Sequence, residues 1–516
     1  MPHKTLRLIL GDQLNSQHSW FQSKNPENHY LMMEIGQELQ YVRHHILKIS
    51  AFFLAMRNFA KELEDMGHAV QYIKLDDHIN TQNLGKNILN SLKSGSYSRF
   101  EYLLPDEYRL DQELISISDE INRAFQIPSH GFDTEHFLTH RNYLKQTFGH
   151  RKTYVMETFY RKMRKDFNIL MEGNTPEQNT WNFDKENRKP YDGKTPIPKP
   201  LLFPKSIESI LAPLEKKNLK FLGDPKGKEV EWPISRKEAL DLLDHFTRYQ
   251  LKHFGTFEDA MEAKEPFLFH SRLSFALNIK LLHPKEVLDQ VVKAYRDPKN
   301  EISLPQAEGF IRQVLGWREF MRSQYWLLMP EFASKNFFSH SRPLPEWYWN
   351  GNTKMNCLKT CINQSLELAY AHHIQRLMIT GNFALLAGIH PDEVDAWYLG
   401  IYIDAVEWVE ITNTRGMSQY ADGGGIATKP YVSGGNYISK MSNYCKNCIY
   451  DPKIRYGEKA CPFNSLYWNF FLLHEEKLSG NPRLSLVFRN LKNMKSEELI
   501  KIKEQANKYL SELHSI

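Results

Sequence analysis

The chain has 516 residues, of which 41% are hydrophobic and 25% charged, with a net charge of +5 and five cysteines. This length predicts two or three domains with large cores, and so small a net charge creates no global field that would require a nucleic-acid partner. The unevenly clustered cysteines are not typical of a disulfide framework and favour a metal site. There is no apolar stretch of about 18 residues, and the run 5–10 is too short for a signal sequence, so we expect a cytoplasmic protein without a membrane span.

Residues 1–145 alternate strand and helix signals. Strands are predicted at 5–10, 29–35, 69–75 and 100–104, and a long helix at 38–66, where apolar side chains recur every three to four residues until Gly67. Such alternation predicts an α/β domain built on a doubly wound parallel sheet, and ligands of such sheets bind beyond the carboxyl ends of the strands.

The loop after the first predicted strand reads Gly11-Asp12-Gln13-Leu14. It lacks the G-x-G-x-x-G fingerprint of dinucleotide-binding domains, which disfavours NAD. One interpretation is a site for a flat heterocycle held by Asp12, Gln13, Glu34, Glu38 and His44. Ordinary loop and surface roles are the other interpretation.

Residues 146–234 differ in composition and predict an interdomain linker region. Basic and aromatic side chains alternate between Arg151 and Phe167, a pattern typical of a nucleic-acid face and equally of an amphipathic helix with a solvated basic side. The stretch 187–204 is rich in proline and lysine and predicts an extended surface segment.

Residues 235–516 predict a large all-α domain. Helical periodicity is clear in 239–250, 286–296, 305–329, 354–371 and 374–387. The exception is 412–444, whose glycine, serine and threonine content predicts a functional loop.

Four cysteines form the most specific local pattern. Cys445 and Cys448 are separated by two residues, Cys461 follows thirteen residues later, and Cys357 comes from a distant helix, where Cys361 is an alternative. Four soft ligands suit zinc or an iron–sulfur cluster, and ligand softness does not choose between them.

Polar side chains in three helical segments predict a cofactor site beside that metal. The run Ser271-Arg272-Leu273-Ser274 has the hydroxyl and amide donors that hold a diphosphate at a helix start. Residues 308–320 lack a clean apolar stripe, which favours a pocket wall, and residues 371–410 combine a histidine pair with Arg376, Asp404 and Glu410. A buried Asp404 would keep its charge if it paired with Arg376.

Together these motifs resemble the flavin-binding domain of the photolyase/cryptochrome family. The resemblance lies in the Ser271–Ser274 run, Trp317-Arg318-Glu319-Phe320, Arg376 with Met378-Ile379-Thr380, and Trp408. The run 372–376 and the cysteine spacing are similar to the iron–sulfur bacterial branch, which includes prokaryotic (6-4) photolyases. The resemblance spans essentially the whole chain, and it implies a [4Fe-4S] cluster rather than zinc and Cys357 rather than Cys361.

The resemblance also implies two chromophores, FAD in the helical domain and a 6,7-dimethyl-8-ribityllumazine antenna in the N-terminal domain. By position, the antenna residues are Asp12, Gln13 and Glu38, and the cofactor-binding residues are Ser271, Leu273, Ser274 and Arg376, with Asp404 beside the isoalloxazine and Glu410 facing flavin N5.

The catalytic residues follow from the same comparison by position. His373 matches the active-site histidine with His372 beside it, Tyr431 and Tyr437 match tyrosines near the lesion, and Trp397, Tyr398 and Trp349 match electron-transfer aromatics. A tyrosine used in a related protein two turns after Trp397 is Val406 here, which leaves the electron route open.

The function implied is light-driven DNA repair. Reduced FAD would give an electron to a UV lesion flipped out of the duplex, specifically the (6-4) photoproduct, with His373 as the proton donor. UV-damaged DNA is then the partner, and we expect a monomer without an obligate protein partner. The alternatives are a cryptochrome-type blue-light receptor and an iron–sulfur nucleic-acid binder without photochemistry. The histidine favours repair, because signalling needs no proton donor to a lesion.

Overall fold

The computed structural model describes residues 4–516 and opens with a parallel sheet. Its strands are β1 (Lys4–Leu8), β2 (Asn28–Met33), β3 (Ala69–Ile73), β4 (Tyr97–Leu103) and β5 (Ser129–Phe132). They pair in the order β3-β2-β1-β4-β5, which confirms the predicted doubly wound sheet. The chain reverses its winding between β1 and β4, so a ligand is expected at their carboxyl ends. β5 was not predicted, because Ser-His-Gly-Phe lacks the β-branched residues typical of strands.

Helices make up most of the remaining chain, and two short antiparallel strand pairs, Met171–Glu172 with Thr175–Pro176 and Lys205–Ser206 with Glu229–Val230, lie in the middle region. Among the described residues, no helix is both long and apolar enough to cross a bilayer. The α-helices are α1 (Gln37–Gln40), α2 (Ile46–Asp65), α3 (Leu84–Ser94), α4 (Tyr108–Phe125), α5 (Tyr143–Phe148), α6 (Met156–Phe167), α7 (Glu208–Lys216), α8 (Arg236–His245), α9 (Leu251–Phe257), α10 (Ser274–Asn278), α11 (Pro284–Arg296), α12 (Leu304–Ile311), α13 (Glu319–Leu328), α14 (Trp347–Asn350), α15 (Asn356–Leu368), α16 (His373–Gln375), α17 (Asn382–Ala387), α18 (Pro391–Ile401), α19 (Glu407–Ile411), α20 (Gly435–Met441), α21 (Pro462–Leu473), α22 (Glu475–Leu478), α23 (Ser485–Lys492) and α24 (Ser496–Ser511).

The helix predicted at 38–66 is two helices, α1 and α2. Residues 41–45 turn between them, and the His45 imidazole caps α2 by accepting a hydrogen bond from the Leu47 amide at 3.1 Å. A side-chain cap of this kind satisfies one of the amides that every helix start leaves without a partner.

Four π-helical segments continue α-helices of the helical part. Phe246–Gln250 joins α8 to α9, Arg312–Arg318 joins α12 to α13, Arg376–Gly381 joins α16 to α17, and Thr412–Ser418 extends α19. Such wide turns are rare and often mark functional sites. The prediction of a loop over 412–444 was too long, because residues 412–418 are helical and α20 lies near the other end. The irregular part is 419–434.

The middle region favours the amphipathic-helix interpretation of its basic residues. On α6, Arg161 pairs with Glu157 at 2.8 Å, and the fully buried Arg164 donates to the carbonyl of Ile169 at 3.1 Å. The segment 187–204 has no secondary structure, and backbone hydrogen bonds from its Arg188 and Lys189 attach it to α9.

One hydrophobic core runs through the N-terminal and helical parts. α3 and α4 enclose a separate core on one face of the sheet, whereas α2, on the other face, packs into the core of the helical part. At this junction the Lys48 ammonium donates to the carbonyl of Leu399 at 2.6 Å, and a side chain at Gly400 would lie 2.3 Å from the carbonyl oxygen of Arg43. The domain boundaries predicted near residues 145 and 235 remain predictions, since this core crosses both.

Asp106, after β4, is a buried carboxylate held by two cations of the helical part. Its oxygens lie 3.1 Å from Lys280 Nζ and 3.3 Å from Arg322 Nε. Burial alone would raise the pKa of Asp106, but the charges of Lys280 and Arg322 outweigh burial and hold it below the ordinary value. A carboxyl with a lowered pKa stabilises the folded protein above its unfolded pKa, and this contribution is lost as the pH falls through the folded pKa.

Asp106→Asn is expected to lower the free energy of unfolding by about 3 kcal/mol at neutral pH, because it leaves the buried Arg322 without its counter-charge and Lys280 with Asp12 alone. Chemical denaturation of both proteins measures this difference, which should shrink toward acid pH, where wild-type Asp106 also loses its charge. Asp65→Asn, in the exposed pair with Lys61, is the control and should change stability by less than about 1 kcal/mol. An equal effect of the two substitutions would contradict the assignment.

Candidate functional site

A buried ion pair between Arg376 and Asp404 lies at the centre of the candidate site. Arg376 Nη2 is 3.0 Å from Asp404 Oδ1, so the hypothesised pair forms, and the guanidinium stacks 3.8 Å above the ring of Tyr402. Asp404 also accepts a 2.6 Å hydrogen bond from the Ser274 hydroxyl, and its carbonyl accepts one of 2.7 Å from the Asn278 amide. These contacts hold the carboxylate in one orientation.

Glu410, on α19, is a second buried carboxyl near Asp404. Its side chain is 6% exposed, and Oε1 has no hydrogen-bond partner among residues 4–516. Burial and the neighbouring Asp395 raise the pKa of Glu410 well above its ordinary value, which favours the protonated form. Burial lowers the pKa of Lys48 to about 7, although Asp404 and Glu410 favour its charged form. An unsatisfied buried oxygen of this kind is expected where a polar ligand binds.

The segment 271–274 lies against this ion pair through Ser274. The Ser271 hydroxyl accepts a 3.4 Å bond from the Leu273 amide, and α10 begins at Ser274. With only five residues, α10 contributes a small dipole, so any anion held here would depend on individual amides and hydroxyls. Arg272 turns away and donates to the carbonyls of Leu201 and Glu231 at 2.9 and 3.2 Å.

The two adjacent histidines differ in exposure. His372 is 3% exposed, and its ring stacks on that of His270 with centroids 4.4 Å apart and planes at 16°. Neither ring nitrogen of His372 has a hydrogen-bond partner in the described part of the chain. Burial, with the nearby His270, His373 and Arg376, lowers the pKa of His372 well below its ordinary value. His372 is therefore neutral and can accept a hydrogen bond.

His373 is exposed and shares one charged neighbour with the two predicted lesion-site tyrosines. Although its side chain reaches the surface, the surrounding protein and the Arg376 charge lower the pKa of His373 to about 4, with a smaller contribution from Arg188. Burial raises the pKa of Tyr431 and of Tyr437, and the Arg188 charge offsets part of each rise. The Arg188 charge therefore acts on His373, Tyr431 and Tyr437 alike.

A chain of aromatic rings leads away from the ion pair. The ring of Tyr402 lies 5.7 Å from that of Trp397, Trp397 lies 5.2 Å from Tyr348, and Tyr348 stacks on Trp347 at 4.6 Å. Tyr398 also contacts Trp397, at 5.3 Å. Ring contacts at these distances are ordinary for packed aromatic residues and also short enough for electron exchange.

The remaining predicted aromatic residue, Trp349, is on α14 and is 38% exposed. Val406, which stands where a relative has a tyrosine, caps α19 and lines a cavity at the sheet edge. The buried rings after Trp397 are therefore Tyr348 and Trp347, neither of which was predicted from the sequence.

Four cysteines converge on one cavity, lined mainly by apolar side chains, near α20. Its lining includes Cys357, Cys445, Cys448 and Cys461. Gly435 leaves room for them, since a side chain there would lie 3.0 Å from Cys461 Sγ. Within residues 4–516, no three His, Cys, Asp or Glu side chains are placed to hold one metal ion. Four thiolate ligands gathered at one cavity suit either zinc or an iron–sulfur cluster. Cys361 is buried nearby but does not line the cavity.

A second cavity, of about 170 Å³, lies at the carboxyl ends of β1 and β4, at the predicted switch point. Residues 405–408 of the helical part close it. Its polar lining includes Asp12, Glu38, His44, Lys48, Glu107 and Glu407. A cavity in which several polar side chains stand among apolar ones suits one flat small molecule.

Two of the three predicted antenna residues line this cavity. Asp12 pairs with Lys280 at 2.9 Å, and Glu38 with Arg109 at 2.7 Å. Gln13 does not line it. Its buried amide bonds backbone groups at the ends of β1 and β4 instead.

Sequence reasoning missed Arg188 and gave His270 no role. Arg188 pairs with Glu258 at 3.0 Å from within the segment read as a surface linker, and its sequence neighbours Lys189 and Pro190 gave no indication of a site. His270 stood directly before the Ser271 run, and its two ring nitrogens lie 3.1 Å from backbone carbonyls.

Comparisons with known proteins agree with these observations. The family profile "Deoxyribodipyrimidine photo-lyase-related protein" matches residues 7–230. A protein of Agrobacterium fabrum named (6-4) photolyase is 40% identical over 513 residues, covering 98% of this chain and 99% of that protein. Two solved structures share the fold. A bacterial class III photolyase from Agrobacterium tumefaciens has a TM-score of 0.57 at 15% identity, covering 83% of this chain and 82% of that one. A cryptochrome of Synechocystis sp. PCC6803 has a TM-score of 0.52 at 11% identity, covering 81% and 83%. The identity to the full-length relative, together with the shared fold, confirms the resemblance: the chain belongs to the photolyase/cryptochrome family.

Proposed function

We propose that this protein is a light-driven DNA repair enzyme that acts on the (6-4) photoproduct. Its 40% identity to a named (6-4) photolyase along nearly the whole chain supports the reaction class. The structural observation that supports it most is the exposed His373 beside the buried Arg376–Asp404 pair. In this arrangement an imidazole that can take up and release a proton lies at the surface, where DNA would bind, and the proposed cofactor site lies behind it.

The residues around Asp404 fit FAD. Asp404 is an acceptor held in one orientation, Glu410 has an oxygen without a partner among the described residues, and Ser271 and Ser274 supply hydroxyls close by. When bound, reduced FAD supplies one electron to the lesion. The role of the chain is to orient the cofactor, through Arg376 and Asp404, and to keep water away from it.

His373 is proposed to deliver the proton that the lesion requires. Its pKa of about 4 leaves it neutral at neutral pH in the DNA-free protein. DNA phosphates placed beside it would favour the imidazolium form and raise that pKa. Proton uptake by His373 would then accompany DNA binding, and the neutral His372 next to it would accept a hydrogen bond from the lesion.

The lesion pocket is proposed to lie between His373, Tyr431 and Tyr437. Aromatic rings stack on bases that have left the helix, and Arg188 carries a charge suited to the adjacent phosphate. Extruding a damaged base pair costs less than extruding an intact one, which contributes to selectivity.

The four cysteines are proposed to hold a [4Fe-4S] cluster. They line one cavity, and four thiolates are a typical ligand set for such a cluster. The cavity at the switch point is proposed to bind the lumazine antenna, with Asp12 and Glu38 at its edge. Gln13 would act there only indirectly, by joining the ends of β1 and β4.

The decisive experiment exposes the reduced, FAD-loaded protein to blue light with DNA carrying either a (6-4) product or a cyclobutane dimer. We expect restoration of the (6-4) lesion and little change in the dimer, measured by chromatography of the digested DNA. Repair of the cyclobutane dimer alone would show that the dimer, and not the (6-4) product, is the substrate. Photoreduction of the flavin without repair of either lesion would instead indicate a cryptochrome-type receptor.

A further inference from the structure

We propose that Gln375 and Tyr444 are positioning residues. They connect the segment that contains Cys445 and Cys448 to the adjacent histidines His372 and His373. The inference rests on the proposed repair function and assigns a purpose to the cysteine site. Both side chains are buried, and neither touches the proposed lesion pocket through its own polar atoms.

Gln375 holds the backbone of His372. Its Oε1 accepts a hydrogen bond from the His372 amide at 3.0 Å, and its Nε2 donates to the Tyr444 hydroxyl at 3.0 Å. The remaining capacity of the amide is used by Gln364, which donates to Oε1 at 3.1 Å and accepts from Nε2 at 2.9 Å. A primary amide has two donors and two acceptor positions, so Gln375 is saturated and has one orientation.

Tyr444 is linked to two of the cysteine segments, the one that begins at Cys445 and the one that contains Cys357. It directly precedes Cys445, and its carbonyl accepts a 2.8 Å hydrogen bond from the side chain of Asn356, which directly precedes Cys357. Whatever fixes the two cysteine segments relative to each other therefore also fixes the Tyr444 hydroxyl. Through Gln375 this constraint reaches the amide of His372.

The ring of His372 is constrained from the opposite side by His270. The stack at 4.4 Å holds the ring plane, and the Gln375 bond holds the backbone at the start of α16, where His373 is the first residue. A side chain that acts as a proton donor must be placed to within about 1 Å, because larger errors cost about 100-fold in rate. The cysteine site thus sets the position of His373 without touching DNA.

The test is Tyr444→Phe, which removes one hydroxyl and keeps the ring. The first measurement is hydrogen exchange at the His372 amide, which needs no DNA and no light. We expect about fivefold faster exchange, corresponding to about 1 kcal/mol for one lost hydrogen bond. The second is repair of the (6-4) lesion, where we expect a lower rate at saturating DNA and an unchanged KM, with iron content as in the wild type.

Tyr456→Phe is the matched control. Tyr456 lies between Cys448 and Cys461, is 40% exposed and does not line the cysteine cavity, so this variant should match the wild type in both measurements. Gln375→Asn, which is one methylene shorter, is the second variant if Tyr444→Phe folds poorly. It should also accelerate hydrogen exchange at the His372 amide. Wild-type exchange at His372 in both variants would overturn the inference. If the wild-type protein repairs neither lesion, the proposed function is wrong. The exchange measurement would still show whether Tyr444 constrains the His372 amide through Gln375.

Discussion

His373→Ala should abolish repair of the (6-4) lesion while leaving the protein folded and its flavin content unchanged. Proton transfer by a positioned side chain accelerates reactions by about 10²–10⁴-fold, so a loss of at least 100-fold is expected. Because His373 is exposed, its removal should change the free energy of unfolding by no more than about 0.5 kcal/mol. The measurement is the quantum yield of repair under blue light, alongside thermal unfolding.

The pH dependence of repair separates a proton donor from a contact residue. The wild-type yield should fall as the pH rises, because His373 must gain a proton that the surrounding protein and the Arg376 charge disfavour. Residual repair by His373→Ala should not follow this curve. The exposed His78 provides the control, since His78→Ala should keep both the yield and the curve. Wild-type repair by His373→Ala would remove the proposed proton role.

Cys357→Ala should abolish cluster binding and with it the folded state of the helical part. The four cysteines come from three separate segments, so losing one ligand releases α15 from the loop that contains Cys445 and Cys448. Metal-linked binding free energy is also folding free energy, about 10 kcal/mol or more for structural zinc sites. The measurements are iron and sulfide content, the visible absorption shoulder and the melting temperature.

Cys361→Ala is the matched control, because Cys361 lies one helical turn from Cys357 and does not line the cysteine cavity. It should keep the iron and lose only the packing of one small buried side chain, about 1 kcal/mol. The reverse result, with iron lost from Cys361→Ala and kept in Cys357→Ala, would exchange the two assignments.

Much of the fold could be predicted because its signals are local. Alternating apolar runs and helical periods identified four of the five strands of the described sheet and most long helices, since each pattern reflects one buried face. The Arg376–Asp404 pair could also be predicted from the sequence, because a buried carboxylate requires a partner and few cations lie near it in the chain. The cysteine set was predictable from spacing and resemblance.

The remainder depends on contacts between residues distant in sequence. The π turns at Arg376–Gly381 and Thr412–Ser418 leave the apolar pattern nearly unchanged, so a period of about 3.6 residues does not reveal them. The position of Arg188 near the site depends on backbone hydrogen bonds between its segment and α9, which no local sequence pattern indicates. The bond between Gln375 and Tyr444 spans 69 residues and joins two polar side chains for which no periodic pattern exists.

The core shared between α2 and the helical part has a consequence for light harvesting. Energy transfer between two chromophores depends steeply on their separation and on the angle between their transition dipoles. Lys48 lies on the cavity wall and donates a hydrogen bond to the Leu399 carbonyl, so this wall is joined directly to the helical part that contains Asp404. A chromophore in the cavity would keep a constant angle and distance to one beside Asp404, and its transfer efficiency should therefore be insensitive to solvent viscosity.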